Sequence, residues 1–185
     1  MSRSLSARDI AMIAMGVALT AVCSWISIPL TVPFTMQTFA VCLVTALFGL
    51  KRGLWTVVCY MILGAVGAPV FSGFKGGVSV LLGPTGGYIV GFLFTALIVG
   101  LAAEKPGLRA SVLAGAMAVG ILLCYAFGTA WFMFVYEQKS GPIGLGTALS
   151  WCVLPYLLPD AAKIALASVL VQRLRPFVDR EVRAA

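Results

Sequence analysis

Charged residues are missing from five long stretches of this chain: 41 residues from Ile10 to Leu50, 22 from Gly53 to Phe74, 28 from Gly76 to Ala103, 27 from Ala110 to Tyr136 and 20 from Ser140 to Pro159. A helix needs about 20 apolar residues to cross a bilayer. Backbone amides have no water to bond in hydrocarbon, so only helices and closed barrels can span it. Barrel strands alternate apolar and polar residues and leave a polar interior. Here the runs are continuous, 61% of all residues are hydrophobic and 10% are charged, against about 25% charged in soluble domains. The expected fold is therefore an all-α integral membrane protein. Pro29 and Pro33 divide the longest run, since each disfavours helix in the residue before it. Six spans follow, at about 10–28, 36–50, 53–68, 84–103, 109–136 and 147–173, forming one membrane domain over 1–185. The first is not read as a cleaved signal peptide, because more membrane sequence follows it.

With six spans both termini share a side. That side holds ten Lys and Arg: Arg3, Arg8, Lys51, Arg52, Lys105, Arg109, Arg173, Arg175, Arg180 and Arg183. The opposite side holds Lys75 and Lys139. The positive-inside rule places both termini in the cytoplasm. It also accounts for most of the +7 net charge, which without basic runs interleaved with aromatics gives no reason to expect nucleic-acid binding. The outer connections, at 29–35, 69–83 and 137–146, are longer and rich in Gly and Pro, which makes the outside the expected working face. The absence of histidine removes triads, histidine–zinc sites and imidazole relays, and no metal site is expected. The five cysteines lie in apolar runs with no C-x-x-C and read as small buried hydrophobes.

Asp160 and Lys163 carry the strongest signal. They stand three apart, on one face of a helix. Asp160 precedes Arg173 by 13 residues, or about 20 Å of helix, which puts the pair in the outer half of the bilayer. Ionisable residues at such depth normally pair or line a polar cavity; the alternative is an ion pair that only glues helices together. Pro159 is expected to start a helix and leave free amides near Asp160. In Leu82-Gly83-Pro84-Thr85-Gly86-Gly87-Tyr88, Pro84 is placed to open a helix whose amides could face an anion, or the segment is a plain loop-to-helix junction. No G-K-[ST] occurs, so nucleotide hydrolysis is not assigned to this chain. Val32-Pro33-Phe34-Thr35-Met36-Gln37-Thr38 offers hydroxyls and an amide beside an aromatic ring, or it merely plugs the bundle. Tyr125, Trp131, Trp151 and Tyr156 either line a pocket or form an interfacial belt. Ala11, Ala14 and Ala18, with Ala7, give the first helix a small-residue face suited to close packing, inside the chain or with a partner.

Taken together, the motifs resemble the biotin-specific S components (BioY family) of energy-coupling-factor (ECF) vitamin transporters. The likeness rests on Val32-Pro33-Phe34-Thr35-Met36-Gln37, on Gly64-x-x-Gly67-x-Pro69-Val70-Phe71-Ser72-Gly73, on Gly83-Pro84-Thr85-Gly86-Gly87-Tyr88 and on Pro159-Asp160-x-x-Lys163, in that order along nearly the whole chain. The last motif has Pro159 where the family usually has a small residue. The resemblance implies a six-helix bundle in a bacterial or archaeal cell membrane that captures biotin at the outer face. It implies no cofactor and no catalytic residue. It also implies a membrane coupling subunit and two ATPase subunits as partners, docking partly through Ala11, Ala14 and Ala18.

Carried onto this sequence, it implies a substrate site of Asp160, Lys163, the Thr85, Gly86, Gly87 and Tyr88 segment, and the loops around Gln37 and Gly73. The chemistry is compatible. An ionised Asp160 can accept a ureido N–H, Lys163 can neutralise it and donate to a ligand oxygen, and Gln37 and Thr35 can hydrogen-bond the ligand. Phe34, Tyr88 and Trp131 can cover the apolar ring, and Lys75 or loop amides can take the carboxylate. An S component for another vitamin shares the fold. A membrane enzyme would need a second acid–base group beside Asp160, and an assembly protein would leave the pair without a ligand.

Overall fold

The structure, a computed structural model, describes residues 6–105 and 109–183, with side chains as far as Val178. Arg3 and the side chains of Arg180 and Arg183 lie outside the described residues. The elements in order are α1 (Ala7–Trp25), β1 (Ser27–Ile28), β2 (Phe34–Thr35), α2 (Gln37–Ala65), α3 (Val78–Leu81), α4 (Gly86–Ala103), α5 (Ala110–Ser140), α6 (Leu145–Cys152) and α7 (Leu154–Arg183).

Five segments are long and apolar enough to cross a membrane, and α2 contains two of the expected crossings. Gln37 Nε2 lies 2.6 Å from Tyr60 Oη, although the two are 23 residues apart; in a straight helix they would be about 34 Å apart. The chain folds back at Gly49, whose φ of 80° and ψ of 179° break the helix. Such angles suit only glycine. The reversal expected at Lys51-Arg52 therefore falls two residues earlier, and both cations begin the second arm. The expected span at 147–173 is also divided, since Val153 (φ −126°, ψ −56°) separates α6 from α7. The helix carrying Asp160 starts at Leu154 with Pro155 in its first turn, and Pro159 lies inside it. In the turn before Asp160 the Tyr156 amide is bonded to the Val153 carbonyl at 3.0 Å; the expectation that Pro159 opens the helix and leaves free amides near Asp160 does not hold. The short pair β1–β2, with Ser27 opposite Thr35 and Ile28 opposite Phe34, closes the first connection.

α4 packs between α2 and α5, α1 packs on α2, and α7 closes the bundle against α2 and α5. Contacts are close. A Cβ on Gly16 of α1 would meet both Val44 and Thr56 at 2.8 Å, so α1 seats on both arms of α2. Outward-facing residues are apolar, with Leu122 55%, Leu123 43% and Phe134 62% exposed on α5, as lipid contact requires.

One end of the bundle collects basic groups. Ser6 and Asp9 cap α1 reciprocally, Ser6 N donating to the Asp9 carboxylate at 2.9 Å and Asp9 N to Ser6 Oγ at 3.2 Å. Arg52 Nε donates to Asp9 Oδ1 at 2.6 Å. Arg175 Nη2 donates to the Ala103 carbonyl at 2.6 Å, closing the end of α4. Ala11, Ala14 and Ala18 are exposed along α1. Lys75 lies on the loop between α2 and α3.

Candidate functional site

A cavity of about 340 Å³ runs from exposed Leu30, Thr31 and Lys75 to buried Asp160 and Lys163. Its floor is the ion pair. Lys163 Nζ lies 2.6 Å from Asp160 Oδ1, and the residues are 6% and 4% exposed. Burying such charges in a bilayer costs several kcal/mol unless each is matched, and here the matching is nearly complete. The ammonium has three protons. Besides Asp160 Oδ1 it faces the Thr35 carbonyl at 2.6 Å and Thr38 Oγ1 at 3.2 Å, and it stands 4.1 Å from the centre of the Phe34 ring. Asp160 Oδ1 also accepts from Thr38 Oγ1 at 3.2 Å, and Oδ2 accepts from the Tyr125 hydroxyl.

A carboxylate offers about four acceptor positions. Three are taken, so Asp160 keeps one, on Oδ2. Lys163 keeps no proton once its three neighbours are served. The pair thus presents one open acceptor, on Asp160 Oδ2, while Lys163 is held by three partners within the protein.

The α7 helix holds Asp160 and Lys163 three residues apart on its inward face. The partners come from distant sequence: Thr35 and Thr38 from β2 and the start of α2, and Tyr125 from mid-α5. Tyr156, one turn before Asp160, donates to the Val32 carbonyl, and its ring stacks with Phe34 at 6.4 Å. Phe71, Ile89, Phe92 and Val80 supply apolar wall, with Thr85, Tyr88, Cys124 and Cys152 beside them. The Tyr88 hydroxyl is 2.9 Å from Thr129 Oγ1. Such a wall suits a largely apolar ligand with a few polar groups.

Of the residues expected at the site, Asp160, Lys163, Thr35, Gln37, Lys75, Thr85 and Tyr88 border the cavity, and Phe34, Gly73, Gly86, Gly87 and Trp131 stand outside its wall. The glycines work in packing and turning. A Cβ on Gly86 would lie 1.7 Å from the Leu81 carbonyl oxygen, and one on Gly87 would lie 2.3 Å from Trp131 Cβ. Gly73 has φ 71° in a turn that continues into Phe74 at φ 56°, and the Phe74 ring stacks on Trp25 at 4.9 Å. Trp131 donates to the Gly83 carbonyl at 3.0 Å. The amides of Gly86 and Tyr88 are bonded to the carbonyls of Gly83 and Thr85 at 3.0 and 3.1 Å, so they do not form the anion cradle expected of free helix-terminal amides. Both ends of the Gln37 amide are engaged, Oε1 with Thr35 Oγ1 at 2.9 Å and Nε2 with Tyr60. Phe71, Phe92 and Thr38 also border the cavity without having been expected as site residues; Phe71 and Thr38 lie inside motifs quoted above, whereas Phe92 sits in a plain apolar run. No cluster of three metal-ligating residues occurs among the described residues.

Comparison with known proteins agrees with this architecture. A family model described as the BioY family matches residues 1–180. The chain is 42% identical over 159 residues to the biotin transporter BioY of Thermotoga maritima, covering 85% of this chain and 90% of that one. It is 38% identical to the probable biotin transporter BioY of Pyrococcus horikoshii, covering 92% and 98%. Its fold matches the crystal structure of the S-component for biotin from an ECF-type ABC transporter with a TM-score of 0.79, at 24% identity over 95% of both chains. Match and relatives alike run nearly end to end, and the chain belongs to the BioY family.

Proposed function

We propose that this chain is the substrate-binding membrane subunit of a biotin uptake transporter. It takes biotin from the outer face and delivers it inward with an energising module of one coupling membrane subunit and two ATPase subunits. The observation that carries the reading is the single open acceptor on Asp160 Oδ2 at the foot of a mostly apolar cavity. Biotin supplies the matching groups: a ureido N–H for Asp160, an apolar thioether ring for the wall of Phe71, Phe92 and Tyr125, and a carboxylate. With the ureido ring at the floor, the tail points toward the exposed end of the cavity, where Lys75 provides a cation. The names of the relatives support biotin over another vitamin.

The grouping of Arg8, Lys51, Arg52 and Arg175 at the end of the bundle away from the cavity supports a cell-membrane protein with that end in the cytoplasm and the cavity outside. The exposed alanine face of α1 supports docking of the coupling subunit there. Labelled biotin added to the purified protein tests the proposal. Saturable binding that other unlabelled vitamins do not displace is expected, with a rise in melting temperature. Absence of binding, or displacement by a different vitamin, refutes it.

A further inference from the structure

The polar groups at the floor of the cavity continue beyond the ion pair. Thr35 gives its carbonyl to Lys163 Nζ at 2.6 Å and its hydroxyl proton to Gln37 Oε1 at 2.9 Å. Gln37 Nε2 donates to Tyr60 Oη at 2.6 Å, and the Tyr60 hydroxyl donates to the Val70 carbonyl at 2.8 Å. Ser24 Oγ lies 2.6 Å from that same carbonyl. The run starts on α7, crosses both arms of α2 and ends on the loop that carries Phe71, Ser72 and Lys75, three residues of the cavity wall. Tyr60 is 0% exposed and is not itself part of that wall.

Packing alone does not call for a hydroxyl at this position. The Tyr60 ring meets Phe71 edge-on at 5.4 Å, and Phe71 in turn presses on Gly64, where a Cβ would stand 2.0 Å from the ring. Phenylalanine would make the same ring contact. What the hydroxyl adds is two hydrogen bonds, each to an element that borders the cavity. We propose that Tyr60 is a positioning residue for the ligand: its hydroxyl fixes the loop of Phe71 and Lys75 relative to the Asp160–Lys163 pair, so the two ends of the cavity keep one spacing. A ligand held at both ends depends on that spacing, whereas the fold does not. The inference rests on the biotin reading of the cavity.

The test compares biotin affinity in the intact protein and in Tyr60→Phe, Thr35→Val and the double variant. Thr35 and Tyr60 do not touch in the relay; they communicate through Gln37. Wild-type protein that fails to bind biotin removes the functional reading itself. Given wild-type binding, Tyr60→Phe is expected to weaken it about tenfold, or about 1.4 kcal/mol. The double variant is expected to bind no worse than the weaker single one, because both cut one chain. Unchanged affinity in Tyr60→Phe, or fully additive losses, overturns the proposal. A second measurement decides the matter if Tyr60→Phe does not fold. The amides of Phe71 and Lys75 are bonded to each other's carbonyls at 2.9 and 3.3 Å, and Thr35→Val is expected to speed their hydrogen exchange at least threefold. Exchange unaltered there overturns the proposal equally.

Discussion

Replacing Asp160 with asparagine isolates the one acceptor assigned to the ligand. The variant keeps the size of the side chain and an oxygen for Lys163 Nζ, now at 2.6 Å from Asp160 Oδ1. It places an amide NH₂ where Oδ2 accepts from Tyr125. Lys163 retains the Thr35 carbonyl at 2.6 Å, Thr38 Oγ1 at 3.2 Å and the Phe34 ring, so its charge is not stranded. The loss of folding stability therefore falls below the 3–5 kcal/mol typical when a buried pair loses one partner outright. Binding suffers more. A charge-assisted hydrogen bond of about 1.5–3 kcal/mol disappears, and a buried ligand N–H meets a donor, costing about 1–3 kcal/mol on its own. Allowing for overlap, the expected loss is about 2–4 kcal/mol, roughly a 30- to 1,000-fold weaker affinity. Equilibrium binding of labelled biotin to purified protein, beside a melting curve, measures both quantities. Affinity within twofold of wild type in a protein that still melts cooperatively refutes the assignment of Oδ2 as the ligand's acceptor.

Two further substitutions probe other parts of the bundle. Ala14→Leu with Ala18→Leu adds bulk to an exposed face of α1, far in role from the cavity; biotin binding is expected to stay within twofold of wild type and cellular uptake to fall at least tenfold. Uptake at the wild-type rate removes the docking role of that face. Gly87→Ala drives a methyl to 2.3 Å from Trp131 Cβ, an atom too close to the backbone to swing aside. The expected loss is about 1–3 kcal/mol, or about 3–10 °C in melting temperature. An unchanged melting curve shows that this contact does not set the spacing of α4 and α5.

The membrane bundle was legible because lipid enforces a crude rule that charge-free runs obey directly. Its boundaries were less so. Lys51-Arg52 marked a polar end but not the turn, which fell to Gly49 because backbone angles, not charge, decide where a helix reverses. Pro159 suggested a helix start, yet α7 already begins at Leu154, since Pro155 fills the first turn without losing a bond and the following residues simply propagate the helix. At the site, Asp160 and Lys163 stood out because ionisable residues are rare in such runs. Which residues would meet them did not. Thr35 and Thr38 lay in a noted motif and Tyr125 among the outer-half aromatics, but Thr38 lies 122 residues from Asp160 and Tyr125 lies 35 away, and no spacing joined them to the pair. Gly86 and Gly87 show the opposite error: small residues drew attention as ligand contacts, whereas the Leu81 carbonyl and the Trp131 side chain occupy the space their missing Cβ atoms leave.

The position of the ion pair in the chain bears on how the protein is made. Phe34, Thr35, Thr38 and Tyr125, which match the charges of Asp160 and Lys163, all precede α7 in order of synthesis. Inserted alone, a helix carrying either residue near its centre is penalised by about 2.5–3.5 kcal/mol for each, and its prolines weaken it further. By the time α7 leaves the ribosome, however, α2 and α5 are already available in the membrane to receive it. On that order of synthesis α7 enters the bilayer with the groups that match its charges already made, and the cavity above Asp160 and Lys163 closes as α7 packs against α2 and α5.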